Sequence, residues 1–172
     1  VVSGHYDSRV TDVMNATADA PGANDDASGT AAVIEMACVM ARHMFDASLG
    51  FMTVAAEEQG LYCSGDYAAR ARAAGMNIAG MLNNDIIGSS HDEHGKLDNA
   101  EVRLFAEGVP PLKETTPALR TLLQTGGEND SITRQLARHV KETGERYVPG
   151  FKVDIIYRRD RYLRGGDHIP FL

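Results

Sequence analysis

Metal-capable side chains stand directly after three apolar segments of this chain. His5 and Asp7 follow the first segment. Glu57 and Glu58 follow the second segment, and Asp85 follows the third. Imidazole nitrogen combined with carboxylate oxygen suits zinc, and the set is too rich in nitrogen for calcium or a simple magnesium site. The residue types therefore indicate a zinc site, although any one of these residues alone is common at the end of a strand.

Two loops add further candidate ligands. Asp25 and Asp26 lie in the loop before a predicted helix, and His168 lies in the last loop of the chain. Together these donors exceed what one tetrahedral zinc ion requires. The number is consistent with two metal ions about 3.5 to 4 Å apart that share a bridging carboxylate and a bridging water.

The order of the predicted elements explains how these side chains can meet. Strands and helices alternate between residues 1 and 107, which is typical of an α/β domain with a largely parallel sheet. Ligands of such sheets bind beyond the carboxyl ends of the strands. The expected strands are one that ends near Ser3 and four that span 50–56, 78–82, 101–106 and 152–157. The expected helices span 28–43, 64–74 and, in two pieces, 114–144.

Length and composition limit the class of protein. A chain of 172 residues corresponds to about one domain. The strand-like start and the helical turn at the end predict that residues 1–172 form a single domain that lacks terminal elements of a longer protein. Lys and Arg number 17 against 24 Asp and Glu, and this net charge of -7 argues against a nucleic-acid partner. No apolar run approaches the roughly 18 residues of a membrane span. Cys38 and Cys63 fit no paired motif, and we expect each to be buried or half-buried.

Five short motifs spread over residues 4–171 contain all of the candidate ligands. They are GHYDS at 4–8, PGANDDASG at 21–29, EEQGLYCS at 57–64, NNDIIG at 83–88 and DHIPF at 167–171. In this order they resemble the motifs of the co-catalytic di-zinc aminopeptidases. That metallopeptidase family also includes glutamate carboxypeptidases and, as a one-zinc branch, glutaminyl cyclases. The resemblance implies a three-layer α/β sandwich with a mostly parallel central sheet flanked by helices.

The resemblance also implies a role for each candidate side chain. Asp25 would bridge two zinc ions, with His5 and Asp85 completing one site and Glu58 and His168 completing the other. Glu57 would be the general base. Asp7 would accept a hydrogen bond from the far nitrogen of His5. It further implies a cis peptide bond between Asp25 and Asp26. These roles are physically reasonable, because two cations lower the pKa of a shared water and a nearby carboxylate can take its proton.

The predicted activity is hydrolysis of a peptide bond at a free amino terminus. A carboxypeptidase or dipeptidase of the same family is the nearest alternative. Glutaminyl cyclisation is another, and the complete set of five ligands argues against it. A third is a catalytically inactive binding ectodomain, which typically loses ligands or the base. The resemblance suggests a secreted or periplasmic protein with a peptide substrate, and it leaves the oligomeric state open.

Several polar residues have simpler explanations or open roles. Asp26 is expected to be the N-cap of the first long helix, and the run at 91–94 is expected to be a solvated loop. Asp167 could orient His168. The basic run at 158–164 is expected to be a solvated turn, although Arg161 or Arg164 could meet a substrate carboxylate.

Overall fold

A computed structural model describes residues 1–92, 94–107, 116–158 and 165–172. These residues form two compact units, one of residues 1–90 with 166–172 and one of residues 91–165, called unit 1 and unit 2 below. The strands are β1 (Val2–His5), β2 (Phe51–Val54), β3 (Leu82–Asn83), β4 (Glu101–Ala106) and β5 (Lys152–Tyr157). The helices are α1 (Ala27–Met40), α2 (Tyr62–Ala73), α3 (Pro117–Gln124) and α4 (Ile132–Tyr147), with short 3-10 helices at Gly127–Asp130 and Ile169–Phe171.

Unit 1 contains a three-stranded parallel sheet in the order β2-β1-β3. Val2 pairs with Phe51 and His5 pairs with Val54, so β1 and β2 end at the same level. The third strand is only two residues long, and its Leu82 and Asn83 pair with Val2 and Ser3 at the beginning of β1. The side chains that follow β1, β2 and β3 therefore leave the sheet at one edge.

Helix α1 lies very close to β1. A Cβ atom added to Gly4 would stand 2.6 Å from the carbonyl carbon of Gly29, which no side chain tolerates. The hydroxyl of Thr30 donates a hydrogen bond to the carbonyl oxygen of His5 at 2.8 Å. The glycine in β1 therefore brings the first turn of α1 against the end of the strand, next to the candidate ligands.

Unit 2 contains a two-stranded parallel sheet of β4 and β5. Helix α4 packs on this sheet and contributes Ala137 to a small core with Ala106 and Val153. Lys141 of α4 donates a hydrogen bond to the carbonyl oxygen of Val153 at 2.6 Å. Unit 2 thus has its own parallel pair and its own covering helix.

The prediction of an α/β protein with parallel strands is confirmed, whereas the three-layer sandwich and the single catalytic domain stay predictions. Helix α1 ends at Met40, three residues before the expected end. Both cysteines are free and exposed, so the expectation that they are buried or half-buried is wrong. No helix within the described residues combines the length and the apolar character that crossing a membrane needs.

Candidate metal centre

Three of the predicted ligands come together at the carboxyl edge of the sheet in unit 1. Within the described residues, His5, Asp25 and Asp85 each offer a ligand atom, and these atoms lie within 4.8 Å of one another. Nε2 of His5 is 3.2 Å from Oδ1 of Asp25. His5 is 1% exposed, whereas the Asp25 side chain is 47% exposed. The cluster is therefore fixed on the histidine side and open to solvent on the aspartate side.

The His5 ring is oriented through its other nitrogen. Nδ1 lies 3.0 Å from the carbonyl oxygen of Asp7 and 3.5 Å from Oδ1 of the same residue. A proton on Nδ1 can be donated to that carbonyl, which leaves Nε2 with the lone pair that a metal needs. The sequence predicted the carboxylate of Asp7 as the partner, and the main-chain oxygen is the nearer of the two.

Charges around His5 oppose the effect of its burial. Burial alone lowers the pKa of this histidine, but the carboxylates of Glu57, Asp26, Asp85 and Asp7 together raise the pKa above its ordinary value. The centre is thus strongly negative, and it favours positive charge at the position of the imidazole. A bound cation would meet the same field.

The Asp7 carboxylate connects β1 to the segment after β2. Its two oxygens accept hydrogen bonds from the main-chain N–H groups of Glu57 and Glu58, both at 3.2 Å. Glu57 is 3% exposed, and its Oε2 lies 4.0 Å from Nε2 of His5. Glu58 turns to another partner, because its Oε2 accepts a hydrogen bond from Nε of Arg9 at 2.7 Å. The adjacent glutamates therefore contact different residues, His5 for Glu57 and Arg9 for Glu58.

Asp26 is the N-cap of α1, as predicted, and its carboxylate also accepts hydrogen bonds from β1 and from the loop after β3. Oδ1 accepts the main-chain N–H groups of Gly29 at 3.0 Å and Ile86 at 3.3 Å, and Oδ2 accepts that of His5 at 3.0 Å. The peptide bond between Asp25 and Asp26 is cis, as the resemblance implied. Burial raises the pKa of Asp26 to about 6, against the opposing effect of the donors from His5 and Gly29. One buried carboxylate thus ties β1, α1 and the loop after β3 together.

Two non-glycine residues beside the predicted site residues have left-handed backbone. Ala56, which precedes Glu57, has φ 57°, and Ile86, which follows Asp85, has φ 52°. This conformation is uncommon outside glycine and is unfavourable for a β-branched residue such as isoleucine. It is retained where the surroundings impose it, and such positions concentrate at functional sites.

The last segment of unit 1 brings His168 towards the same edge. A Cβ atom on Gly166 would stand 3.1 Å from Oδ2 of Asp85, so the main chain two residues before His168 lies against that candidate ligand. Asp167 is fully buried, and its Oδ1 accepts a hydrogen bond from the Ser64 hydroxyl at 2.6 Å. Burial raises the pKa of Asp167. The segment is therefore anchored to the first turn of α2.

The remaining predictions from the sequence have different outcomes in the structure. Glu58 and His168 lie outside the three-residue cluster, so the second half of the predicted ligand set stays a prediction. His91, Asp92 and His94 are exposed, as expected for a solvated loop. Arg161 and Arg164 fall outside the described residues. Arg9 and Ser64 were not predicted to contact site residues, because only the folded chain brings them to Glu58 and Asp167.

The donor chemistry of the cluster fits zinc. One imidazole nitrogen and two carboxylates are ligands that zinc accepts, and the excess of negative charge around His5 favours a cation. The cluster lies beyond the carboxyl ends of parallel strands, which is where α/β sheets commonly bind their ligands.

Sequence comparisons identify the family. The profile of peptidase family M28 matches residues 1–171, so the chain belongs to this family and the resemblance is confirmed. The chain is 52% identical over 172 residues to a probable zinc metalloprotease of Leptosphaeria maculans and 53% identical over 172 residues to one of Pyricularia oryzae. A probable zinc metalloprotease of Pyrenophora tritici-repentis is 41% identical over 172 residues. The alignments cover 100% of this chain but only 40%, 34% and 39% of these relatives.

Proposed function

We propose that this chain carries the catalytic centre of a zinc-dependent aminopeptidase, which hydrolyses the peptide bond next to a free amino terminus. The observation that carries the proposal is the cluster of His5, Asp25 and Asp85 at the carboxyl edge of the sheet, with buried Glu57 beside it. Membership of peptidase family M28 and the names of the relatives, probable zinc metalloproteases, support hydrolysis and zinc. The preference for a free amino terminus rests on the resemblance of the five motifs.

Five side chains would hold two zinc ions. His5 and Asp85 would bind one ion and Glu58 and His168 the other, with Asp25 between them. Zinc bound here would polarise the substrate carbonyl and lower the pKa of the attacking water. The exposure of Asp25 supports its place on the open side of the centre, where a substrate can arrive.

Glu57 would move the proton. Its carboxylate is held 4.0 Å from Nε2 of His5, and its main-chain N–H is fixed by Asp7. From this position it can accept a proton from the attacking water and donate it to the leaving amine. Asp7 acts through its neighbours, because it orients the His5 ring and holds the segment that carries both glutamates. Neither role requires Asp7 to contact the substrate.

A peptide digest tests the proposed activity. The full-length parent protein, loaded with zinc, is incubated with a peptide library, and the products are measured by mass spectrometry. We expect stepwise loss of residues from the amino terminus and no cleavage of amino-terminally acetylated copies. Trimming from the carboxyl terminus would assign a carboxypeptidase, and loss of ammonia from amino-terminal glutamine without shortening would assign a cyclase. The absence of any product with zinc bound would favour a binding domain.

Export from the cytoplasm is a further part of the proposal and rests on the family resemblance. An epitope-tagged full-length parent, produced in its own cells, would be recovered from the medium or cell wall. Recovery only from the cytosol would contradict export without affecting the proposed chemistry.

A further inference from the structure

Arg9 contacts a predicted zinc ligand from outside the predicted ligand set. The residue lies in the loop after β1, and its Nε donates a hydrogen bond to Oε2 of Glu58 at 2.7 Å. The Arg9 side chain is 40% exposed, whereas the Glu58 side chain is only 8% exposed. The carboxylate therefore lies at the protein side of the contact, and the guanidinium covers it from the solvent side.

The guanidinium is itself held in place by its own loop. Nη1 donates to the carbonyl oxygen of Thr11 at 3.1 Å and to that of Val10 at 3.4 Å. A surface arginine bound only to a carboxylate would gain little from the contact, since both long side chains lose freedom. Here the main-chain contacts already restrict Arg9, so its Nε presents a fixed donor to Glu58.

Glu58 is thus held both at its main chain and at its side-chain carboxylate. Its main-chain N–H donates to Oδ2 of Asp7 at 3.2 Å, and its side-chain Oε2 accepts from Arg9. A carboxylate has two oxygens, so a hydrogen bond to Oε2 does not by itself prevent Glu58 from binding a metal ion. Ligands of metal ions are commonly oriented by such hydrogen bonds, and loss of the partner typically weakens metal binding by about 10- to 100-fold.

We propose that Arg9 is a positioning residue of the metal centre, which holds Oε2 of Glu58 and thereby orients the carboxylate for binding the second zinc ion. The proposal rests on the function proposed above, in which Glu58 is a ligand. It adds a residue outside the five motif positions that bind metal. Arg9 acts on the centre through its hydrogen bond to Glu58 and has no direct role in the reaction.

Zinc affinity of the full-length protein provides the test. Arg9→Met keeps an aliphatic side chain but removes the charge and the donors, and Arg9→Lys restores the charge without the planar fork. Each of the two zinc affinities is measured by competition with a chromophoric chelator. We expect Arg9→Met to weaken the second zinc about 10- to 100-fold and to leave the first unchanged, with partial recovery in Arg9→Lys.

A matched control exists in the same unit. Arg70 pairs with Asp66 at 2.8 Å on the exposed face of α2, so Arg70→Met removes an arginine–carboxylate pair of the same kind away from the centre. We expect both zinc affinities of this variant to equal those of the unchanged protein. Circular dichroism of all variants verifies that they fold, which is expected because both arginines are largely at the surface.

Two further variants separate failure of this proposal from failure of the proposed ligand set. Glu58→Gln and His168→Ala are measured in the same way, and both should weaken the second zinc. If they do and Arg9→Met changes nothing, only the positioning role is wrong. Tighter second-zinc binding in Arg9→Met would mean that Arg9 competes with the metal for Glu58, which also overturns the proposal. If Glu58→Gln leaves both zinc affinities unchanged, Glu58 is not a ligand, and both the positioning role of Arg9 and the proposed ligand set fail.

Discussion

Unit 1 and unit 2 bury polar side chains to very different extents. Among the described residues, each unit buries three apolar side chains, yet six of the seven buried polar or charged side chains belong to unit 1. The six are Ser3, His5, Asp26, Glu57, Ser64 and Asp167. Since both units have equally small apolar cores, the polar burial of unit 1 is not a consequence of a larger interior.

Among the described residues of unit 2, the one buried charge is compensated by its neighbours. Arg134 donates a hydrogen bond to Asn129 at 2.9 Å, lies 3.9 Å from a carboxylate oxygen of Glu128, and stacks over the ring of Tyr157 at 4.4 Å. In unit 1 the buried charges are carboxylates around a single histidine. Each unit has one buried carboxylate oxygen without a hydrogen-bond partner among the described residues, Oδ2 of Asp167 in unit 1 and Oε2 of Glu128 in unit 2. Buried negative charge is thus concentrated around His5 in unit 1, where the proposed zinc ions would neutralise it.

The largest effect is expected from replacing Glu57, the proposed base in unit 1. Glu57→Gln preserves the shape of the side chain but cannot accept a proton, so we expect kcat to fall about 10²- to 10⁴-fold with zinc binding retained. The measurement is hydrolysis of an aminoacyl anilide by the full-length zinc-loaded protein. Glu101→Gln in unit 2 serves as the control and should leave kcat unchanged. Equal rates for Glu57→Gln and the unchanged enzyme would remove Glu57 from the mechanism.

The pH dependence of Asp26 offers a second test, in the metal-free protein. Its pKa is about 6 in the folded chain against an ordinary value of 3.8, so the folded state binds this proton more tightly. Stability therefore decreases as the pH rises from about 4 to 7, by at most about 3 kcal/mol. Hydrogen exchange of the β1 amides measures this change as an opening free energy.

The matched variant for this measurement is Asp26→Asn, which keeps an acceptor at the N-cap and cannot ionise. It is expected to be less stable at every pH, because its amide group faces main-chain N–H donors, but to lose the part of the pH-dependent decrease that Asp26 contributes. Parallel pH curves for the two proteins would show that Asp26 does not titrate in this range.

The anchor of the last segment should have a moderate effect. Ser64→Ala removes the 2.6 Å hydrogen bond to Asp167 and leaves both oxygens of a buried carboxylate unsatisfied. We expect a loss of about 1 to 3 kcal/mol in the free energy of unfolding, measured by urea denaturation of the metal-free protein. Ser64→Thr, which retains the hydroxyl, should lose less. An Ala variant as stable as the unchanged protein would contradict the importance of this anchor.

The smallest effect is expected for a surface pair of unit 2. Lys152 donates to Glu101 and Asp154, both at 3.1 Å, and its side chain is 57% exposed. Exposed ion pairs of this kind add little to stability, so Lys152→Met should leave the free energy of unfolding, measured by urea denaturation, unchanged. A decrease as large as that of Ser64→Ala would show that charge pairing stabilises unit 2 as much as buried hydrogen bonds stabilise unit 1, and the contrast between the units would fail.

The sequence by itself determined the family, the parallel α/β pattern and the chemical type of the site. It could do so because strand ends, helix caps and ligand types are local properties. The N-cap role of Asp26 is one example, since the residue precedes an apolar helical stripe. The grouping of His5 and Asp85 beyond neighbouring parallel strands is another, because the carboxyl ends of such strands share an edge.

Only the tertiary structure decided which distant groups hold these residues. The hydrogen bonds from Arg9 to Glu58 and from Ser64 to Asp167 join residues 49 and 103 positions apart, and no periodicity or motif encodes such partners. The nearer partner of Nδ1 in His5 is likewise a main-chain carbonyl, which residue types cannot indicate. Ligand identity depends on side-chain chemistry and is visible in the sequence, whereas ligand orientation depends on contacts that exist only after the chain has folded.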